Sequence, residues 1–359
     1  MTKKEPEFML KSDVAEMADS LGPVAKAFSG RTVVLSGGRG FLGRYFTAAF
    51  EYLNAHKLAK PCKLIVLDNL ITSGKAGASM KAAAHVRFFK HDVTRPFPLK
   101  ENVDFILQAA GIASPYYYRA FPLETLEVAI WGTRNMLDLA QKNRAKMLFF
   151  SSSEIYGDPD QKHVPTPESY RGNIACLGPR ACYDESKRVG ETLCYIYHNK
   201  FGTAASIVRP FNVYGPGMQE NDYRVLPNFA SRIKGDRPLR LYGSGRQTRT
   251  FCYVTDAITG FLKALVLGGA GEAYNIGNPK PEVSMMDLVK KTEAALGRSV
   301  KHQVVEYPDS YPADEPMRRC PDITKARLQL GYEPAVPLEE GLHRFYKWAL
   351  SSYTGDKKQ

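Results

Sequence analysis

Paired cysteines are missing from this 359-residue sequence. The six present (Cys62, Cys176, Cys182, Cys194, Cys252, Cys320) are scattered without a C-x-x-C spacing, which argues against a zinc site or a redox dithiol. No metal is expected, and the thiols read as reduced, as in a cytoplasmic protein. An apolar run of signal-peptide or membrane-spanning length is also missing. Residues 1–29 are polar and mixed in charge, so neither secretion nor a membrane partner is expected. Repeats and low-complexity tracts are absent, and only residues 355–359, in a tail over 351–359, have a disordered composition. The net charge of +12 suits an anionic ligand: a nucleic acid, an acidic membrane or a phosphorylated small molecule. No Lys/Arg-rich block or aromatic RNA-binding signature accompanies it, so no nucleic-acid partner is expected.

What is present is an ordinary globular composition, 44% hydrophobic and 24% charged, on a chain long enough for a large α/β domain with a smaller lobe. Apolar residues recur at helical spacing through Val14, Met17, Ala18, Leu21, Val24, Ala25 and Phe28, predicting a helical extension over residues 1–30 that caps the core or a partner subunit. The β-branched run Thr32 to Ser36 then reads as a strand buried on both faces, followed by a glycine loop and a helix to Leu53. Further strands are predicted at Lys63 to Asp68, Val86 to Phe89, Val103 to Leu107, Lys146 to Ser151 and Ala205 to Arg209. Helices are predicted from Leu123 to Lys142 and from Asp184 to Lys200. This alternation predicts a doubly wound, Rossmann-type parallel sheet over residues 31–210, with a return to it at 250–277. Residues 211–249 and 278–350, richer in Pro and Gly, are expected to form a smaller, discontinuous C-terminal lobe that takes the substrate.

Gly37, Gly40 and Gly43 sit between the buried strand and the helix. There they let the backbone approach a pyrophosphate held by helix N–H groups, although a tight turn alone needs such glycines too. Asp68 ends the second strand, where a carboxylate accepts from an adenosine ribose and repels a 2′-phosphate, favouring NAD over NADP; the alternative is a solvated strand end. Tyr183 and Lys187 form Tyr-x-x-x-Lys, which on a helix puts phenol and ammonium one turn apart. An ammonium and a positive nicotinamide both favour the phenolate, which removes a hydroxyl proton as hydride leaves. Ser151, Ser152, Ser153 and Glu154 end a buried strand at the ligand-binding edge of such a sheet, where the serines act either as strand-end caps or, in Ser152, as a hydrogen-bond partner of the reacting hydroxyl.

The Gly-x-x-Gly-x-x-Gly spacing resembles the extended short-chain dehydrogenase/reductase family. Four further stretches narrow the resemblance: Ser153 to Pro159, Gly178 to Glu185, Tyr242 to Arg249 and Pro337 to Leu342. Together they are similar to the UDP-glucuronate decarboxylases (UDP-xylose synthases) of the NAD-dependent nucleotide-sugar epimerase/dehydratase group, over roughly Arg31 to Leu342. The resemblance implies Ser152 in place of a catalytic Thr, Glu154 as the carboxylate, Tyr183 as base, Lys187 as its partner, and Arg319 near the sugar carboxylate. It implies cofactor contacts at Gly37, Gly40, Phe41, Leu42, Gly43, Asp68, Asn69, Asp92, Val93, Ala110, Gly111, Ser151, Tyr183, Lys187 and Val213. Substrate contacts are implied at Tyr118, Asn135, Asn212, Arg224, Val225, Tyr242, Arg249 and Arg319, with Asn212 and Arg249 on the diphosphate of a UDP-linked sugar. It also implies a homodimer through a four-helix bundle that includes the two long helices.

Two departures bear on the substrate. Glu127 stands where the family usually has Lys, and Ala129 where it has Asn; a buried acidic residue there repels a glucuronate carboxylate. Gln108 replaces a usual His, ahead of an unusual Tyr116-Tyr117-Tyr118-Arg119 run. Decarboxylation of UDP-glucuronate to UDP-xylose or its 4-keto intermediate is therefore the first expectation. A 4-epimerase or 4,6-dehydratase of a related nucleotide sugar is the second, although Ser153 lacks the acid that many such dehydratases use. A catalytically inactive NAD-binding sensor is the third.

Overall fold

The computed structural model describes residues 8–73, 83–306 and 316–355. In it, β1 (Thr32–Ser36), β2 (Lys63–Asp68), β3 (Val86–Lys90), β4 (Phe105–Gln108), β5 (Lys146–Phe150) and β6 (Ala205–Pro210) join one parallel sheet. Shorter strands form small sheets: β7 (Val213–Tyr214) with β10 (Cys252–Tyr253), β8 (Leu239–Tyr242) with β13 (His302–Val305), and β9 (Thr248–Arg249) between β12 (Val283–Ser284) and β14 (Arg318–Arg319). The chain returns to the large sheet as β11 (Ala273–Ile276), parallel to β6, completing seven strands in the order β11-β6-β5-β4-β1-β2-β3. The order reverses at β1, which opens a crevice at the carboxyl ends of the strands.

The helices are α1 (Lys11–Ser20), α2 (Phe41–His56), α3 (Pro115–Ala120), α4 (Pro122–Glu127), α5 (Thr133–Asn143), α6 (Ala181–Phe201), α7 (Val225–Lys234), α8 (Val254–Leu267), α9 (Met285–Leu296), α10 (Thr324–Leu330) and α11 (Leu338–Ser352). Burial on both faces explains the continuous apolar strands. Val33 and Leu35 point into a core shared with Met17, Phe46, Phe50 and Phe261, whereas Val34 points into another with Met136, Leu137 and Cys194. The stretch expected as one helix from Leu123 to Lys142 is α4, a π-helical turn at Val128–Gly132, and α5. The fourth strand starts at Phe105 rather than Val103; just ahead of it, the Asp104 carboxylate accepts from the Thr32 N–H and the Arg31 guanidinium, both at 2.8 Å.

The N-terminal extension is α1 and a 3₁₀ turn, Gly22–Phe28, that bury Met17, Ala18, Leu21, Ala25 and Phe28 against α2 and α8; residues 1–7 of it lie outside those described. Asp13, fully buried, accepts from the Tyr253 hydroxyl at 2.8 Å and from Arg344 of α11 at 3.2 Å, tying the extension to β10 and to the C-terminal helix. Burial lifts its carboxyl to about 6, against the pull of Tyr253 and Arg344. A raised folded-state pKa stabilises most below 3.8, and that contribution is lost as pH rises to about 6. Asp13→Asn cannot ionise. The melting-temperature difference, wild type minus Asp13→Asn, is expected to fall between pH 4 and pH 6 and to stay flat above, as thermal denaturation in matched buffers would show.

The tail differs from expectation. Residues 351 and 352 complete α11, and the Glu220 carboxylate accepts from the backbone N–H groups of Thr354 and Gly355 at 2.8 and 2.7 Å, so polar composition there signals an anchored turn. Residues 356–359, the rest of that tail, lie outside those described. No described helix is long and apolar enough to cross a membrane, and all six cysteines are free.

Candidate active site

A cleft of about 1040 Å³ runs along the carboxyl ends of the strands. At one end, the loop after β1 turns at Gly37, whose φ of +70° is a left-handed conformation that glycine adopts freely. A Cβ on Gly37 would lie 2.8 Å from the Ala110 Cα, and one on Gly43 only 2.3 Å from the Gly37 carbonyl oxygen. Glycines thus let α2, which begins directly after Gly40, pack tightly under the loop and aim its free N–H groups into the cleft. Phe41, Leu42, Asn69, Asp92, Val93, Ala110, Gly111, Ser151 and Val213 line the same channel. Asp68 lines it as well, already accepting from the N–H groups of Arg39 (2.8 Å) and Leu70 (2.7 Å); its remaining lone pairs are what a ribose would use. The buried Ser151 hydroxyl has no partner among the described residues. A cradle without Cβ atoms, a helix N-terminus, an acceptor at the second strand end and an unsatisfied hydroxyl together fit a dinucleotide such as NAD.

At the other end, Ser152 caps the short 3₁₀ turn Ser153–Tyr156 by accepting from the Glu154 N–H at 3.2 Å. Its hydroxyl also lies near enough to the Tyr183 phenol to draw that phenol's pKa down. Tyr183 and Lys187, one turn apart on α6, both face the cleft and are buried. Lys187 donates to the Phe150 carbonyl oxygen at 2.9 Å, and its ammonium lies 5.6 Å from the Tyr183 ring centre. Burial pushes the Tyr183 phenol up to about 12, with Ser152 pulling down and Glu154 and Asp184 pushing up; burial lowers Lys187 to about 8. Burial therefore keeps Tyr183 protonated near neutrality in the protein alone. Of the two cations expected to favour the phenolate, the ammonium does not outweigh desolvation at that distance, which leaves the contribution of a positive nicotinamide.

Glu154 is gripped from two sides. Arg319 of β14 pairs with both its oxygens, one at 2.7 Å, and Arg180, just ahead of α6, pairs with the second oxygen. Burial alone would raise this carboxyl, but Arg319, Arg180 and Arg249 hold it at about 2. Asp184, buried behind Arg180 at 3.7 Å, is pushed up to about 7 by burial and by the Glu154 charge. Arg180 is the residue that sequence reasoning did not single out. Its signal was its place three residues before Tyr183 within the Gly178 to Glu185 stretch.

The remaining wall brings together Tyr118, Asn212, Arg224, Val225, Tyr242, Arg249 and Arg319, all expected on the substrate. Tyr118 stacks on Tyr183 with ring centres 5.2 Å apart, Asn212 donates to the Thr250 carbonyl oxygen at 2.7 Å, and Arg224 is braced by Asp222. Asn135 is the exception. It lies outside the cleft wall, and its amide donates at 2.9 Å to the Val93 carbonyl oxygen because α5 runs behind the channel; it acts on the site only through that backbone. Glu127 does line the cleft, with Glu124 and Arg119, whereas Ala129 is buried beneath it. Gln108 sits in the core under the loop, bonded to the Ser36 hydroxyl at 2.5 Å.

Comparison with known proteins agrees with this geometry. Residues 33–277 match the model of the NAD dependent epimerase/dehydratase family. UDP-glucuronic acid decarboxylase 5 of Arabidopsis thaliana is 41% identical over 316 residues, 88% of this chain and 88% of that protein. UDP-glucuronic acid decarboxylase 1 of Xenopus tropicalis is 39% identical over 316 residues, 88% of this chain and 71% of that one. Among solved structures, UDP-glucuronic acid 4-epimerase of Bacillus cereus, in complex with UDP-glucuronic acid and NAD, superposes with a TM-score of 0.74 at 25% identity, covering 90% of this chain and 100% of that one. A dTDP-glucose 4,6-dehydratase of Streptomyces venezuelae with NAD bound does so at 0.74 and 25%, covering 88% and 96%.

Proposed function

The chain belongs to the NAD dependent epimerase/dehydratase family, and from that premise we propose that it decarboxylates UDP-glucuronate to UDP-xylose or its 4-keto precursor. The observation that carries this reading is the Arg180–Glu154–Arg319 cluster beside Ser152 and Tyr183. Two guanidiniums on one carboxylate leave a positive charge in excess, in the cleft, where a sugar carboxylate is to be held. The decarboxylase relatives support it.

When bound, NAD supplies the hydride acceptor and a positive ring that favours the tyrosinate. Ser152 hydrogen-bonds the C4 hydroxyl, and Tyr183 takes its proton as C4 is oxidised. The C6 carboxylate is then β to a ketone. Loss of CO₂ leaves its bonding pair at C5, spread onto the C4 oxygen as an enolate, where the protonated Tyr183 and Ser152 stabilise the developing charge. A water would protonate C5, and Tyr183 would give its proton back to the C4 oxygen as the hydride held by the cofactor returned to C4.

Glu127 favours a second reading, 4-epimerisation or dehydration of a related nucleotide sugar, since it faces the same cleft. One incubation with NAD and UDP-glucuronate separates the two. Loss of the mass of one CO₂ supports decarboxylation; unchanged mass with an altered sugar NMR spectrum supports epimerisation; no reaction overturns both for this sugar. Under the first reading, Glu127→Lys is expected to lower KM for UDP-glucuronate roughly fivefold or more, with little effect on UDP-glucose binding, because an opposing charge near the carboxylate is reversed. Initial-rate kinetics on both sugars check this. The reading includes a homodimer, supported by the exposed Leu123, Trp131 and Tyr195 on and between α4, α5 and α6, and sedimentation velocity tests it.

A further inference from the structure

Three separate segments meet across the mouth of the cleft. Gln219 donates through Nε2 to the Thr72 carbonyl oxygen at 2.9 Å and accepts at Oε1 from the Tyr117 hydroxyl at 2.9 Å. Asn221 donates to the same Tyr117 oxygen at 3.4 Å, and the Tyr116 and Tyr223 rings lie 5.3 Å apart. Thr72 belongs to the turn after β2, on the side of the glycine loop; Tyr116 and Tyr117 belong to α3; Gln219 to Tyr223 lead into α7 on the opposite wall. Thr72, Tyr116 and Tyr223 line the cleft themselves. The Tyr116-Tyr117-Tyr118 run, which the catalytic chemistry uses only through Tyr118, thus takes part in three of the four contacts that join the walls.

The joint is rigid at its root and soft at its tip. Behind it, the buried Tyr45 and Tyr353 hydroxyls donate to the carbonyl oxygens of Pro216 and Met218 at 2.9 and 2.8 Å, and Glu220 is bonded to Ser231, Thr354 and Gly355. In front, Gln219, Asn221, Tyr116 and Tyr223 are exposed, so their contacts exchange with water at little net loss and the joint opens without unpacking a core. Tyr117 is one residue from Tyr118, which stacks on Tyr183, so this contact sits close to the reacting end.

We propose that Tyr117 and Gln219 gate the cleft, holding it shut between the two halves of the redox cycle so that hydride returns to the sugar it came from. The inference rests on the reaction proposed above. A 4-keto sugar that escapes leaves its hydride on the cofactor and its hydroxyl proton with Tyr183 or solvent, and that enzyme molecule stays reduced. Tyr117 and Gln219 touch no reacting atom; they are positioning residues.

Gln219→Ala and Tyr117→Phe, which removes only the shared oxygen, test this in two arms. In the first, enzyme loaded with NADH is chased with excess NAD, with no sugar present, and release is followed by fluorescence. Both variants are expected to release a few-fold faster, Gln219→Ala more so because it also loses the Thr72 contact, and the double variant by less than the product of the two because they share the Tyr117–Gln219 bond. In the second arm, with NAD and UDP-glucuronate, the share of product leaving as keto sugar and the NADH absorbance left on the enzyme are expected to rise together. Unchanged release in both variants overturns the gate whatever the sugar. Faster release with an unaltered keto share overturns its link to hydride return. Faster release with no turnover of UDP-glucuronate by any form supports the gate and overturns the decarboxylase reading instead.

Discussion

Tyr183→Phe is expected to lower kcat by about 10³-fold while leaving NAD affinity within about twofold of wild type. The substitution removes the phenol oxygen and keeps the ring stacked at 5.2 Å on Tyr118, so the wall of the cleft is preserved. Retained binding with lost turnover locates the effect in proton transfer, because uniform loss of binding would move KM and cofactor affinity instead. Steady-state kinetics and a titration of NAD measure the two quantities. Turnover near the wild-type rate in Tyr183→Phe would remove the phenol from the mechanism and leave Ser152 or a water to take the proton.

Glu154→Gln carries the second large effect, on stability as well as rate. In the wild type, one carboxylate satisfies Arg180 and Arg319 together. A neutral amide leaves two mostly buried guanidiniums facing each other, at a stability loss of roughly 2–4 kcal/mol, with a kcat loss of about 100-fold or more as the cluster shifts. The pH dependence has a definite sign. The folded carboxyl is depressed from 4.5 to about 2, so its contribution is complete above 4.5 and is lost as pH falls through that window. Chemical denaturation of the two proteins should therefore show a stability gap that is wide at pH 6 and closes toward pH 2. A gap independent of pH over this window would mean that the ion pairs contribute nothing beyond shape.

Local rules made much of the site legible. The glycine spacing, the strand ending in Asp68 and the Tyr-x-x-x-Lys repeat are each set by a few consecutive residues, and each lies where its backbone period puts it. Arg319 was legible only through its resemblance to a family motif, and its partner Arg180 was not singled out. Their shared contact with Glu154 joins positions 154, 180 and 319, which no spacing rule connects. Asn135 shows the reverse error: a polar residue on a helix beside the channel whose amide is taken up by the Val93 carbonyl. Tail residue Gly355 was misread for the same reason, since its anchor, Glu220, is far away in sequence.

The sequence by itself determined the parallel α/β sheet, the glycine loop and the one-turn spacing of Tyr183 and Lys187, because strand burial, helix period and glycine conformation are all local properties of the chain. Only the tertiary structure decided how those groups are charged and what surrounds them. Burial keeps Tyr183 a phenol and lowers Lys187, two distant arginines keep Glu154 ionised, and Glu127 lines the cleft that Gln219 and Tyr117 bridge at its mouth. Desolvation and pairing depend on what the fold brings to a group from elsewhere in the chain, and a one-dimensional pattern carries neither.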